Sequence, residues 1–119
     1  MATATNLSSA GRLGALDAVA ASQTDSVLVA AATNKKIRVH GFILNHGDTT
    51  ASAVTFNSKG SGAGTAKTPA YKGPANGGFV VAEAKNAWFE TNVGEALTVT
   101  TGAGSTTNVD VIYELVSGR

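Results

Sequence analysis

Two histidines and an aspartate that lie close together in the chain are the residues best suited to bind a metal ion. His40, His46 and Asp48 offer two imidazole nitrogens and one carboxylate, and the sequence contains no cysteine. Zinc sites use three or four strong protein ligands that are held in place by further hydrogen bonds. No helical pattern brings the two histidines together at a spacing of i, i+4. We therefore expect solvated residues at a strand end and in a turn, with no metal ion and no other cofactor.

A glycine-rich segment between lysines is a candidate phosphate-binding loop. The glycines of residues 60–64 lie between Lys59 and Lys67. A P-loop ends in Gly-Lys-Ser or Gly-Lys-Thr and opens a helix, whose dipole supports the bound anion. Residues 60–64 have neither feature, so the segment is predicted to be a flexible hairpin loop.

Nucleophiles and acid–base groups do not form a catalytic pattern in the sequence. No serine stands in the Gly-x-Ser-x-Gly context of hydrolases, and neither histidine has an obvious carboxylate partner. The carboxylate candidates are four glutamates, Glu83, Glu90, Glu95 and Glu114. They are predicted at strand ends or on outward faces, where solvation explains them better than acid–base catalysis. We expect no catalytic residues; a small hydrolase would need a histidine and a carboxylate that converge in a cleft.

Four aromatic residues admit two interpretations. Tyr71, Phe79, Trp88 and Phe89 are spaced so that they could line a sugar-binding surface. Aromatic side chains more often pack in the core or along strand edges, because they bury a large apolar area. Core packing is therefore the favoured interpretation.

The composition predicts one small domain whose surface suits contacts with other proteins. The chain has 119 residues, of which 14% are charged, and a net charge of +1. An average soluble domain has roughly 25% charged residues. With so few charges and a net charge near zero, the electrostatic field of the protein does not favour nucleic acid or an anionic membrane as a partner. A surface of small, uncharged residues allows close approach of another protein with little desolvation cost.

Apolar residues recur at every second position from Val27 onward, in short runs separated by glycine, asparagine and aspartate. This period predicts strands joined by tight turns. Because no helical pattern separates the strands, we predict an all-β antiparallel sandwich over residues 25–119, jelly-roll-like, with seven or eight strands. The predicted strands are 26–31, 36–45, 53–58, 66–71, 79–83, 87–91, 97–101 and 109–116.

One predicted strand is apolar on both faces. Ile37, Val39 and Ile43 share one face by strict alternation, and Phe42 and Leu44 fall on the other. An exposed apolar strand face is usually covered by another surface. Phe42 and Leu44 are therefore candidate interface residues, and a homo-oligomer, a dimer or a trimer, is expected.

The composition of residues 1–24 differs from that of the rest of the chain and predicts an N-terminal arm. The arm has four sparse apolar positions, Leu7, Leu13, Leu16 and Val19. These are too few to order the segment alone, so we expect it to be flexible, or ordered against the domain or a partner. The four residues are further candidate interface positions. The start lacks the apolar core of a signal peptide, which predicts synthesis in the cytosol.

From Ile37 onward the chain resembles a group of small virion proteins of tailed bacteriophages. The segments that carry the resemblance are Ile-Arg-Val-His-Gly at 37–41, Gly-Gly-Phe-Val-Val at 77–81, Ala-Trp-Phe-Glu-Thr at 87–91, Gly-Glu-Ala-Leu-Thr-Val at 94–99 and Val-Asp-Val-Ile-Tyr at 109–113. The first 24 residues lie outside the resemblance.

The resemblance implies a β-sandwich subunit of the virion and no catalytic residues. Similar jelly-roll proteins decorate or cement the capsid, so the implied partners are the major capsid protein or other virion subunits. The alternative is a receptor- or glycan-binding module of a tail fibre or spike. Such a module would need exposed aromatic side chains over a polar groove.

Overall fold

The structure is a computed structural model that describes residues 3–6, 12–47, 50–104 and 106–118, with residues 3–6 described by their backbone alone. In these parts of the chain the regular structure is entirely strand, as the period-two pattern predicts. The strands are β1 (Thr3–Asn6), β2 (Leu13–Val19), β3 (Ser26–Val29), β4 (Lys35–His46), β5 (Ser52–Lys59), β6 (Thr65–Ala66), β7 (Tyr71–Gly73), β8 (Gly78–Val81), β9 (Phe89–Glu90), β10 (Ala96–Thr101) and β11 (Thr107–Ser117).

The strands form two antiparallel sheets with jelly-roll connectivity. The first sheet has the order β1-β2-β11-β4-β8, with β9 also paired to β4, and the second has the order β3-β10-β5-β6, with β7 also paired to β5. If β6 and β7 are counted as one interrupted strand, and β1 and β9 are set aside, each sheet contains four strands. That is the eight-strand, two-sheet arrangement of a jelly roll. The predicted fold class is confirmed.

The strand predicted over residues 66–71 is interrupted. Two residues form β6 and three form β7, and Pro69 lies between them. Proline has no amide hydrogen to donate to a ladder, so it is confined to sheet edges and breaks. Both short strands pair with β5 and leave this side of the second sheet irregular.

The core lies between the two sheets and is built from their inward-facing residues. Phe56 on β5 is opposite Val99 on β10, and both are fully buried. Phe42 on the other sheet contacts Phe56 with ring centroids 5.0 Å apart and a tilted geometry, which aromatic pairs favour. This aromatic contact joins the two sheets at the centre of the sandwich.

A β-bulge in β4 changes which residues of that strand face the core. Ile112 on β11 is opposite Gly41, and the next residue, Tyr113, is opposite Val39, so His40 is the extra residue. A bulge of this kind places two residues of one strand against one of its partner and shifts the side-chain alternation by one position.

The bulge overturns the predicted exposure of Phe42 and Leu44. Ile37 and Val39 face the core before the bulge, and Phe42 and Leu44 face it after the bulge; all four are buried. Ile43, predicted to lie inside, is 46% exposed. The assumption of strict alternation was wrong, because the side chains that face the core are at odd-numbered positions before the extra residue and at even-numbered positions after it. Phe42 and Leu44 are core residues, and they are not available as surface contacts in this fold.

Part of the predicted arm belongs to the sandwich. Leu13–Val19 forms β2, which pairs with β11 over residues 107–113. Ala15 and Val19 are buried, and Leu13 packs partly buried against the core. The sandwich therefore starts earlier than residue 25. The sequence signal was weak here because one glycine and two alanines lie among the larger apolar residues of β2. Leu7 lies outside the described residues.

Candidate functional site

The two histidines that were weighed as candidate metal ligands point to opposite sides of the first sheet. His46 is fully buried between the sheets, and its Nδ1 lies 3.4 Å from the Thr107 hydroxyl. His40 lies on the outer side and is covered by the segment around Ala84. Asp48 lies outside the described residues. Within the described residues, no three His, Cys, Asp or Glu side chains come together in a way that could hold a metal ion.

His40 has a carboxylate partner that the sequence did not reveal. Its Nε2 lies 2.7 Å from Glu114 Oε1, and its Nδ1 lies 3.0 Å from the carbonyl oxygen of Ala84. A carbonyl and an ionised carboxylate both accept hydrogen bonds, so the two bonds form together only when the ring carries two protons. The histidine thereby joins β11 to the segment that follows β8. The extra residue of the bulge is what turns His40 toward Glu114.

This pair lies at a polar cleft of 400 Å³. The residues that line the cleft are Arg38, His40, Lys85, Asn86, Ala87, Phe89, Glu90 and Glu114. No hydroxyl or thiol is present among these lining residues of the described chain, and both nitrogens of His40 are engaged. A nucleophile activated by a histidine cannot be assembled from them.

Ion pairs hold the other side of the cleft. Glu90 accepts a hydrogen bond from Arg38 Nε at 3.1 Å and lies 3.6 Å from Lys36 Nζ. Burial by itself raises the pKa of Glu90, but the hydrogen bond from Arg38 and the two positive charges outweigh it and lower the pKa. Glu90 therefore stays ionised and serves as the anion of a surface network.

The glycine-rich loop connects β5 to β6, as the predicted hairpin requires. Its last amide, that of Gly64, donates to Asp25 Oδ2 at 3.1 Å. Asp25 Oδ1 also accepts hydrogen bonds from Asn57 Nδ2 at 3.1 Å and Thr98 Oγ1 at 2.9 Å. A carboxylate of the protein thus accepts the hydrogen bond that the Gly64 amide could otherwise donate to a bound anion.

The aromatic residues divide between the core and a groove. Phe89 and Tyr71 pack against the core, as expected. Trp88 does not, because it is 56% exposed while its Nε1 donates to the carbonyl oxygen of Ala82 at 3.0 Å. The indole stands beside a groove of 580 Å³. That groove is lined by Phe42, Lys67, Thr68, Pro69, Tyr71, Val80, Val81, Ala82, Trp88 and Phe89.

The outer face of the first sheet carries a row of exposed apolar side chains. Leu16 is opposite Asp110, Asp110 is opposite Ile43, and Ile43 is opposite Val80, so the row crosses four neighbouring strands. Leu16 is 62% exposed, Ile43 46% and Val80 74%. We call Leu16, Ile43 and Val80 the outer apolar row. Shallow depressions lie on either side of Asp110, between Leu16 and Ile43.

No protein-family model, curated protein or solved structure matches this chain. None of the described residues forms a helix that is long and apolar enough to cross a membrane. The outer apolar row and the groove beside Trp88 are therefore the features from which function is inferred.

The predicted interface residues have different locations in the structure. Leu16 lies in the outer apolar row, whereas Val19, Phe42 and Leu44 are buried. Leu13 is partly buried against the core, and Leu7 is outside the described residues. Ile43 and Val80 were not chosen as interface residues. Because of the bulge, strict alternation places Ile43 on the wrong face. Val80 lies in a run of apolar residues without alternation, so its exposure could not be predicted.

Proposed function

We propose that the protein is a structural subunit of a bacteriophage particle, a decoration or cement protein of the capsid, which binds neighbouring virion subunits. The observation that carries the proposal is the outer apolar row, three exposed aliphatic side chains on one face of a hydrogen-bonded sheet, with Asp110 between Leu16 and Ile43. Exposed apolar side chains gathered on one face, with polar groups among them, mark protein-binding surfaces. The resemblance to small virion proteins supports the same role.

The size of the row favours a contact that is repeated many times. Full burial of an aliphatic side chain yields roughly 1.5 to 3 kcal/mol. With 62%, 46% and 74% still exposed, Leu16, Ile43 and Val80 together offer about 3 to 5 kcal/mol. Association costs about 4 to 15 kcal/mol in lost freedom, so this row alone gives weak binding. A symmetric shell that repeats the contact, or adds a second contact per subunit, turns weak binding into firm attachment.

Asp110 sets a condition on the partner surface. Its carboxylate lies between Leu16 and Ile43 in the row and loses water when the face is covered. An unpaired buried charge is costly, so the partner must offer a basic or amide group at that point. The expected partner surface is therefore apolar with one hydrogen-bond donor near its centre.

Reconstitution on particles that lack the protein tests this role. The double variant Leu16→Ser and Ile43→Ser should keep its strand content by circular dichroism but occupy the particles less and protect them less against heat. Val27→Ser is the matched control, because Val27 is 39% exposed on a strand of the opposite sheet. Equal occupancy and equal particle stability for the double variant and the control would contradict the proposal.

A receptor- or glycan-binding module of a tail fibre or spike is the second candidate, supported by the exposed indole of Trp88. Sugar sites combine an aromatic platform with polar groups that bind hydroxyls. In the described residues, Trp88 lines the mainly apolar groove, whose one charged residue is Lys67, whereas four charged residues line the polar cleft. We therefore rank this function second. Saturable quenching or enhancement of Trp88 fluorescence by oligosaccharides would reverse the order.

A further inference from the structure

The strand β8 has one side without a partner strand in the described chain, because it ends the first sheet. The amide of His46 donates to the carbonyl of Gly77 at 2.7 Å, which identifies a hydrogen-bonded pair in the register between β4 and β8. Hydrogen-bonded and non-bonded pairs alternate along an antiparallel ladder. Phe79 and Val81 therefore bond to β4, and the N–H and C=O groups of Val80 point away from the sheet.

The groove beside Trp88 runs along this edge, between β8 and residues 67–71 of the other sheet. Its aromatic lining includes Phe42 and Phe89, which belong to the sandwich core. A volume of 580 Å³ lies within the usual range for binding sites, about 300 to 1,000 Å³. An open backbone edge and an apolar groove thus lie side by side.

We infer that this edge binds an extended segment of a partner protein, which adds a strand beside β8 and places alternate apolar side chains in the groove. Strand addition uses the edge backbone for affinity and neighbouring pockets for specificity. Successive side chains of a strand point to opposite faces, so residues i and i+2 of the added segment enter the groove. The inference goes beyond the proposed function, since it concerns the backbone edge of β8 and the groove, which shares only Val80 with the outer apolar row.

The charges around the groove specify the segment further. Lys67 is the one charged residue among the groove-lining residues of the described chain. Glu83, just after β8, is paired with Arg12 at 2.6 Å, so its charge is compensated. The segment is therefore an apolar, alternating strand that carries an acidic side chain facing Lys67.

A synthetic peptide of alternating valine and threonine with one glutamate is the probe for this site. Trp88 is the only tryptophan of the sequence and lines the groove, so its fluorescence reports binding directly. Amide chemical shifts of Gly78 to Val81 provide a second readout. We expect saturable changes in the readouts, and a scrambled peptide without alternation should bind about tenfold more weakly.

Two variants at one position separate the backbone from the side chain. Val80→Pro removes the outward N–H and leaves the bonds of Phe79 and Val81 to β4, so the peptide should bind about tenfold more weakly. Val80→Ala keeps the N–H and shortens a side chain that lines the groove, so it should weaken peptide binding less than Val80→Pro does. Lys67→Glu should reverse the preference, so that a peptide with lysine in place of glutamate binds better.

Four results would overturn the inference. The first is no change in Trp88 fluorescence or in the amide shifts with the peptide. The second is equal weakening by Val80→Pro and Val80→Ala, and the third is a response to a neutral oligosaccharide without one to the peptide. The fourth is self-association that Val80→Pro abolishes while the peptide does not bind, which would assign the edge to a second copy of the chain.

Discussion

Replacing Gly41 with alanine should destabilise the protein, because the bulge leaves no room for a side chain. A Cβ at this position would lie 2.9 Å from both Cα and N of Glu83, and 3.0 Å from the carbonyl oxygen of Val81. All three neighbours are backbone atoms. The strain is therefore relieved only by moving the chain that follows β8, and no side-chain rotation suffices.

The segment that follows β8 is held to the bulge by two hydrogen bonds between Ala84 and His40. The amide of Ala84 donates to the carbonyl of His40 at 3.0 Å, and the carbonyl of Ala84 accepts from His40 Nδ1 at 3.0 Å. Overpacking at a constrained site costs about 1 to 3 kcal/mol. For a domain of this size, each kcal/mol lowers Tm by roughly 4 °C.

Urea denaturation of the two proteins measures this cost through the free energy of unfolding, provided that the slope with denaturant is unchanged. Gly62→Ala is the matched control, because a Cβ at Gly62 would meet nothing within 4 Å. It should be neutral or slightly stabilising. If the Gly41→Ala protein stays within about 0.5 kcal/mol of the unaltered one, the packing at the bulge is not as described.

Further predictions concern acid stability and two polar networks. Burial lowers the pKa of His46, so the unfolded chain takes up a proton near pH 6.5 while the folded protein does not. The unfolding free energy should therefore fall as pH drops below about 6.5, and His46→Gln should reduce this slope; equal slopes would contradict the assignment. Asp25→Ala should lower the unfolding free energy by about 1 to 3 kcal/mol and speed proteolysis within residues 60–64, because three donors lose their acceptor. An unchanged cleavage rate would mean that Asp25 does not hold the loop in place. Glu114→Ala leaves His40 without its carboxylate and should lower the unfolding free energy by about 1 to 3 kcal/mol. Glu114→Gln keeps an oxygen that accepts from His40 and should lower it less; equal losses would contradict a role for this hydrogen bond.

The sequence alone predicts the fold class because strand alternation is a local property. Val109, Val111 and Tyr113 occupy every second position, and all three are buried, as alternation requires. The absence of a helical pattern between such runs predicts an antiparallel sandwich. Neither conclusion needs knowledge of which strand pairs with which.

Pairing with strands that are distant in the chain decides which residues of β4 face the core and whether residues 13–19 form a strand. The bulge at His40 exists only relative to β11, some seventy residues later, and it decides that Phe42 is buried and Ile43 exposed. The strand β2 has too few apolar residues to be recognised by itself, and its pairing with β11 makes it a strand.

The candidate surfaces were decided by the tertiary structure for the same reason. Leu16, Ile43 and Val80 come from three strands that are distant in sequence, and sheet register brings them into one row. The contact between His40 and Glu114 likewise joins residues 74 positions apart. Period and composition report which residues alternate along a strand. They carry no information on register, and register determines which side chains of different strands lie together on one face.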